Sequence, residues 1–442
     1  MAEEAKFEVI IVGAGPAGIS AAITLARAGV EVVVLERGKS PGAKNLFGGI
    51  LFTTVLNKLI PNFWEQAPIE RYMTKKRISF LTEDSEVALE LQSEKYKKPP
   101  YNNSMTVLRA KFDQWFASMA EKEGVQIFCD VVVDDFEWKD NKIIGVKTRG
   151  ASEGEYDILY CDVVIDAEGA NSLLAEKAGL RVNSTMMNPK NRALAVKEIL
   201  SLPEEVILNR FNLSGMEGVS MEFFGESVKG MMGYGFLYTN RSSISIGIGC
   251  MIDDFMKYNM SAYELLDHFK EHPCVAPYIR GTEPVEYSAH MIPEESYDHL
   301  PTPFGNGIIL VGDAAGLLNN SLHHEGTNLA MASGVAAAET IIEARKKKDY
   351  SAQSLSLYKT KLEESFALKD MRHYRNFFKT VSENDRFLNF YPKLAVNNII
   401  EYFTVDERTK EEIKHKLISE TRNKIKIFTA LKDLYKFYKY MM

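Results

Sequence analysis

The first third of the chain alternates short apolar runs with glycines. Phe7 to Val12 is apolar and β-branched, the pattern of a buried strand. Gly13-Ala14-Gly15-Pro16-Ala17-Gly18 follows. Ile19 to Ala28, rich in Ala, Ile and Leu, predicts a helix that stops at Gly29. Glu31 to Leu35 predicts a second buried strand with Glu36 at its carboxyl end, completing a βαβ unit of about 30 residues. Residues 40 to 60 are Gly-rich (Gly42, Gly48, Gly49) and then apolar. Residues 70 to 108 predict strands around a lysine-rich loop, Lys95 to Pro100. Arg109 to Glu123 predicts a helix and Val125 to Phe136 a strand. Lys142 to Thr148 and Tyr156 to Cys161 predict a hairpin, and Asp162 to Ile165 another buried strand.

From about 180 to 300 the texture changes. Glu205 to Phe211, Gly218 to Phe224, Tyr234 to Thr239 and Ser243 to Gly249 predict an antiparallel sheet, interrupted by a helix over Asp253 to Glu271. Gly307 to Val311 predicts a return to a buried strand, followed by Gly312-Asp313-Ala314-Ala315-Gly316 and a small-residue helix, Gly326 to Ala344. Beyond 350 the pattern is helical and charged, with no internal repeat. The expected division is a dinucleotide-binding part over 1–180 and 301–350, whose strands at 70–108 are candidates to join the sheet. A sheet domain over 181–300 and a helical region over 351–442 complete it.

Composition narrows the classes. With 442 residues, 45% hydrophobic and 26% charged, the chain is globular rather than disordered. Its net charge of −7 has the wrong sign for a bulk polyanion binder, so no nucleic-acid partner is expected. Four cysteines make no disulfide framework and point to a reducing compartment. The acidic start, Met1 to Lys6, is unlike a secretory leader. The uncharged stretch Val9 to Ala26 contains Gly13, Gly15, Pro16 and Gly18, so strand–turn–helix explains it better than a membrane span. Any membrane contact is expected to be peripheral.

The glycine pattern carries chemistry because of its context. A strand precedes Gly13-x-Gly15-x-x-Gly18, a helix follows, and an acid ends the next strand. Gly13 permits the tight turn, Gly15 lets backbone approach a pyrophosphate, and Gly18 lets helix and strand pack. The helix amino terminus offers N–H groups to phosphate, and Glu36 can accept hydrogen bonds from ribose hydroxyls.

Three further motifs carry a resemblance. Cys161-Asp162-Val163-Val164-Ile165-Asp166-Ala167-Glu168-Gly169-Ala170-Asn171-Ser172 and Ile308-Ile309-Leu310-Val311-Gly312-Asp313-Ala314-Ala315-Gly316 resemble the mid-chain strand-and-turn motif and the second FAD motif of the glutathione-reductase-type flavoproteins. Arg109-x-x-x-Asp113-x-Trp115 resembles a helix start of their hydroxylase-like branch. The resemblance implies FAD and an α+β flavoprotein. Its FAD-binding, Rossmann-like domain would carry an inserted antiparallel-sheet domain and a helical carboxyl-terminal part. It implies Asp313 at the ribityl chain, Arg109 near the FAD phosphates, and Arg37, Val131, Ala167, Gly169 and Gly312 as further cofactor residues beside Pro16 and Ala17. Gly326, Thr327 and Asn328 open the small-residue helix, whose N–H groups could face the flavin pyrimidine. Chemistry is expected at the flavin, with His323, His324 and Tyr234 as the candidate catalytic side chains. For the two histidines a polar loop is the alternative, and for Tyr234 an ordinary sheet strand. There is no second Gly-x-Gly-x-x-Gly and no Cys-x-x-Cys, which argues against a separate NAD(P)H domain and a disulfide oxidoreductase.

Ala195-Val196-Lys197-Glu198, Gly235-Phe236-Leu237-Tyr238-Thr239-Asn240, Met291-Ile292-Pro293-Glu294 and Gly326 to Gly334 narrow the resemblance to electron-transfer-flavoprotein:quinone oxidoreductases and their bacterial Fix-type relatives. That implies electrons taken from a reduced electron-transfer flavoprotein to a membrane quinone, on the inner face of the cell membrane. The single-chain form also carries cluster-binding cysteines in a ferredoxin-like region. Here Cys129, Cys161, Cys250 and Cys274 form no cluster run, and Cys129 and Cys161 fall in strand-like segments as core thiols. No metal site is read in this chain, and the resemblance implies a separate ferredoxin-like subunit. Two alternatives stay open. One is a geranylgeranyl-reductase-type enzyme, of whose aromatic signature only Tyr234 survives between 231 and 239. The other is a FAD-bound scaffold without catalysis. Finally, Ile427, Phe428, Leu431, Leu434, Tyr435 and Tyr438 form one apolar stripe in a lysine-rich tail, 422–442. It reads either as an interfacial helix on an anionic leaflet or as a helix packed on its own domain or a partner.

Overall fold

The computed structural model describes residues 6–44, 49–150, 155–181, 188–294, 296–319, 321 and 324–441. In chain order the strands are β1 (Lys6–Val12), β2 (Val32–Leu35), β3 (Ile50–Phe52), β4 (Ile69–Leu81), β5 (Glu86–Gln92), β6 (Ser104–Val107), β7 (Gln126–Phe128), β8 (Val133–Lys139) and β9 (Lys142–Arg149). After them come β10 (Tyr156–Asp166), β11 (Arg192–Ser201), β12 (Glu217–Gly225), β13 (Gly233–Thr239), β14 (Ser243–Met251), β15 (Glu283–Pro293), β16 (Phe304–Gly305) and β17 (Ile308–Leu310). The chain divides into two compact units. The first comprises Met1–Glu70, Asn103–Arg192 and His290–Arg372; the second comprises Arg71–Asn102, Ala193–Ala289 and His373–Met442.

In the first unit, β17, β10, β1, β2 and β7 lie side by side in parallel. β17, β2 and the carboxyl-terminal halves of β1 and β10 are buried as their continuous apolar runs require, while β7 lies largely exposed at the edge. Helix α1 (Pro16–Arg27) follows β1. Register is the decisive feature. Val12 sits opposite both Leu35 and Asp166, and Asp166 opposite Leu310. The loops after β1, β2, β10 and β17 therefore leave the sheet at one level, the edge where open α/β sheets bind ligands.

Two expectations are corrected in this unit. Val125 to Phe136 is not one strand. β7 runs parallel to β2, while β8 pairs antiparallel with β9. Between them Asp130 turns at φ +59°, and the Asp130 and Val131 amides donate to the Gly38 and Glu36 carbonyls. That break leaves Cys129 half-buried, whereas Cys161 is a core thiol.

The second unit is a sheet in the order β11-β14-β13-β12-β4, with β5 beyond β4. It is not wholly antiparallel, because β12 runs parallel to β4 from an earlier part of the chain. One face buries Leu237, Ile246, Ile248, Phe223 and Phe269. Glu205 to Phe211 is a helix, Glu204–Arg210, rather than a strand. Pro203 and two glutamates open it, and Ile207 with Phe211 forms an (i, i+4) buried pair. Asp253 to Glu271 is two helices: Asn259 ends the first in the left-handed region, and a Ser261–Glu264 capping box starts the second.

The carboxyl-terminal helix, Ile427–Met441, packs inside out. Its inward anchor is Asp433, 2% exposed. This carboxylate accepts from Arg386 Nε (2.8 Å), Tyr391 Oη (2.7 Å) and Asn384 Nδ2 (2.9 Å). These donors hold Asp433 below the ordinary carboxylate range against the desolvation that opposes them, and Phe437 packs near Phe387. The six apolar stripe residues point away, 58% to 79% exposed. No helix among the described residues is long and apolar enough to cross a membrane.

Candidate functional site

The turn after β1 leaves room for a cofactor. Gly13 has φ +108°, and a Cβ there would lie 2.4 Å from the Ala167 carbonyl oxygen. A Cβ on Gly18 would lie 2.1 Å from the Gly13 oxygen. The first two motifs thus touch backbone to backbone, which only glycine allows. Gly15 differs: a Cβ there would meet nothing within 4 Å. It caps α1 with no side-chain acceptor, and Pro16 fills the first helical position. The amino-terminal N–H groups therefore open on space beside Gly15, which fits an anionic pyrophosphate.

Glu36 stands directly after β2. Its carboxylate accepts from the Ala14 amide (2.9 Å) and the Gly38 amide (2.7 Å), so it laces the glycine turn. Each oxygen keeps a lone pair for a further donor. Val131 lies beside it through the Glu36 carbonyl, and Arg37 is exposed. Arg109 opens the helix Arg109–Lys122 and makes a two-pronged ion pair with buried Asp113, both bonds 2.8 Å. Gly42, at φ +77°, lets its loop approach that first turn.

After β10, Ala167 donates to the Val12 carbonyl, and Gly169 turns at φ +82° with open space where a Cβ would stand. After β17, Gly312–Ala315 forms a tight helical turn. The Gly312 amide donates to Ser333 Oγ (2.9 Å). Burial pushes the Asp313 carboxyl up, while His290, Arg109, Arg192 and Arg181 oppose that rise. His290 is pushed down by burial, with Asp313 acting the other way.

The long helix Thr327–Lys347 also starts without a side-chain cap, at Gly326. Its Asn328 is buried and fully engaged. Its Nδ2 donates to Glu325 (2.6 Å) and Thr54 (2.8 Å), and its Oδ1 accepts from the Val55 amide (3.1 Å). Asn328 therefore ties this helix to the helix Thr54–Leu59. His324 is half-buried at φ +46°, and His323 lies outside the described residues. Tyr234 belongs to the second unit, half-buried on β13 with Phe224 at 5.8 Å and Phe236 at 6.3 Å.

Sequence reasoning missed Arg181, Arg192 and His290. None sits in a recognisable motif spacing, and the arginines fall where the pattern simply changes texture.

An FAD-dependent oxidoreductase is the class these loops define, and a family model described as FAD dependent oxidoreductase matches residues 8–264. A second, the ETF-QO/FixC family C-terminal domain, matches residues 377–442. The chain is 45% identical over 412 residues to Protein FixC of Azorhizobium caulinodans, covering 92% of each. It is 42% identical over 429 residues to the probable electron transfer flavoprotein-quinone oxidoreductase YdiS of Escherichia coli, covering 97% of each. It belongs to the FixC and electron-transfer-flavoprotein–quinone oxidoreductase family, and its cofactor is FAD. Among solved structures, a geranylgeranyl bacteriochlorophyll reductase-like protein of Thermoplasma acidophilum shares the fold, with TM-score 0.71, 22% identity, and 97% and 99% coverage.

Proposed function

We propose that this enzyme takes electrons from a reduced electron-transfer flavoprotein and delivers them to a membrane quinone, with an iron–sulfur centre on a separate ferredoxin-like subunit. The observation that carries this reading is the near full-length likeness to YdiS together with the family's own carboxyl-terminal domain. FAD supplies the redox chemistry when bound; the chain binds, orients and tunes it. The α1 amino terminus and Gly15 receive the pyrophosphate. Glu36 takes a ribose hydroxyl, and Asp313 the ribityl chain. The Gly326–Thr327 helix start would offer its N–H groups to the flavin pyrimidine, where its dipole would favour added negative charge.

Anaerobic mixing tests the donor. Flavin bleaching is expected with reduced electron-transfer flavoprotein and not with NADH or NADPH alone. Rapid bleaching by either nicotinamide would overturn the protein-donor reading and favour a prenyl-reductase-like enzyme.

The chain is further proposed to rest on the inner face of the cell membrane through its tail. The reading is supported by the outward stripe of Ile427, Phe428, Leu431, Leu434, Tyr435 and Tyr438 beside Lys424, Lys426, Lys432 and Lys439. Apolar side chains would enter the headgroup boundary while lysines meet anionic lipid. Changing Leu431 and Leu434 to Glu is expected to cut flotation with phosphatidylglycerol-containing liposomes at least about tenfold, roughly 1.4 kcal/mol. Unchanged flotation would rule the tail out as the anchor.

A further inference from the structure

Arg181 has no assigned part in the site, yet it is buried and points at the cofactor motifs. Its Nη1 donates to Ser172 Oγ (2.8 Å) and the Ala314 carbonyl (2.9 Å), and lies 3.4 Å from the Asp313 carbonyl. Ser172, fully buried at φ +49°, donates in turn to the Gly169 carbonyl (3.1 Å). Arg192 Nη1 holds the next carbonyl, Ala170, at 3.1 Å. One guanidinium thus joins the turns that follow two neighbouring parallel strands, β10 and β17. Buried carbonyls need such donors, and a charged donor makes the stronger bond.

We propose that Arg181 is a positioning residue of the FAD site: by clamping the Asp313 and Ala314 carbonyls against the Gly169–Ser172 turn, it aims the Asp313 carboxylate at the ribityl hydroxyls. The inference rests on the reading of Asp313 as the ribityl acceptor. The clamp has an electrostatic consequence as well. Asp313 is pressed toward its neutral form by burial, and the cations facing it are Arg181, Arg192 and Arg109, with His290 when protonated. Removing Arg181 lets Asp313 take up a proton more readily, and a neutral carboxyl is a poorer acceptor for hydroxyls.

The test is a double-mutant cycle on FAD affinity, using apo-protein reconstituted with FAD and followed by flavin fluorescence. Arg181→Met is expected to raise the FAD Kd at least tenfold at pH 7.5 and further at pH 6. Apo-protein unfolding and the absorption and circular dichroism of bound flavin are read in parallel. Asp313→Asn alone should weaken FAD, and the double variant should be no weaker than Asp313→Asn within about twofold, because both changes act through one carboxylate. Arg181→Lys keeps the charge but not the planar fork. It should recover the pH profile and only part of the affinity, and it carries the cycle if Arg181→Met does not fold. Arg181 variants that bind FAD within twofold of the parent, while Asp313→Asn is weakened, would overturn the inference and leave the Asp313 reading standing. Multiplicative losses in the double variant would overturn it too. An Asp313→Asn protein with unchanged affinity would instead remove the Asp313 reading, and the inference with it.

Discussion

Replacing Gly15 with valine is expected to give a protein that folds normally and emerges without its yellow cofactor. The backbone at Gly15, φ −76° and ψ 177°, suits any residue. A Cβ there meets nothing within 4 Å, so the fold itself does not resist the change. That same space is what the pyrophosphate needs beside the α1 amino terminus. FAD affinity should fall at least about 100-fold, roughly 2.7 kcal/mol, while apo-protein unfolding moves by no more than about 1 kcal/mol, the cost of an apolar residue at a helix N-cap. Gly18→Val makes the contrast: its Cβ would lie 2.1 Å from the Gly13 oxygen, so stability and cofactor should fail together. A Gly15→Val protein purified with one FAD per chain would refute this account of the turn.

Gly334→Val is expected to produce a large loss of stability. Gly334 lies on the helix Thr327–Lys347, where it crosses α1. A Cβ there would lie 2.1 Å from the Ala17 carbonyl oxygen and 3.2 Å from the Ala21 amide nitrogen. The obstacle is backbone, so no rotamer change relieves it, and the two helices must part. We expect about 3 kcal/mol or more from overpacking, read by urea unfolding of the apo-protein. Ala332→Val, half-exposed on the same helix, should cost less than about 1 kcal/mol. Equal losses for the two would show that the helix crossing tolerates separation. Ser333, next to Gly334, holds the Gly312 amide, so separation should also disturb the Asp313 turn.

The glycine turn, α1 and the acid at Glu36 were legible because they are contiguous: one strand, one turn and one helix carry their own signals within a few residues. The FAD motifs at 161–172 and 308–316 were legible as strings. Asn328 was read from its place at a helix start for its backbone N–H group; what the sequence did not show is that its side chain binds Thr54, Val55 and Glu325. No local pattern reveals a partner 274 residues away. Glu205 to Phe211 was misread because alternation in so short a segment hides the Ile207–Phe211 helical pair that Pro203 introduces.

By itself, then, the sequence determined most of the elements, the cofactor class and the existence of an amphipathic tail, since each rests on neighbouring residues and on side-chain period. Only the tertiary structure decided which loops converge, because strand register sets the common level of Val12, Leu35, Asp166 and Leu310. It alone brought Arg181 to the turns on either side of it in sequence. It also decided which way the tail faces. Periodicity predicts a stripe but not its direction, and the buried Asp433, with three donors around it, holds the polar side in and leaves the apolar side out.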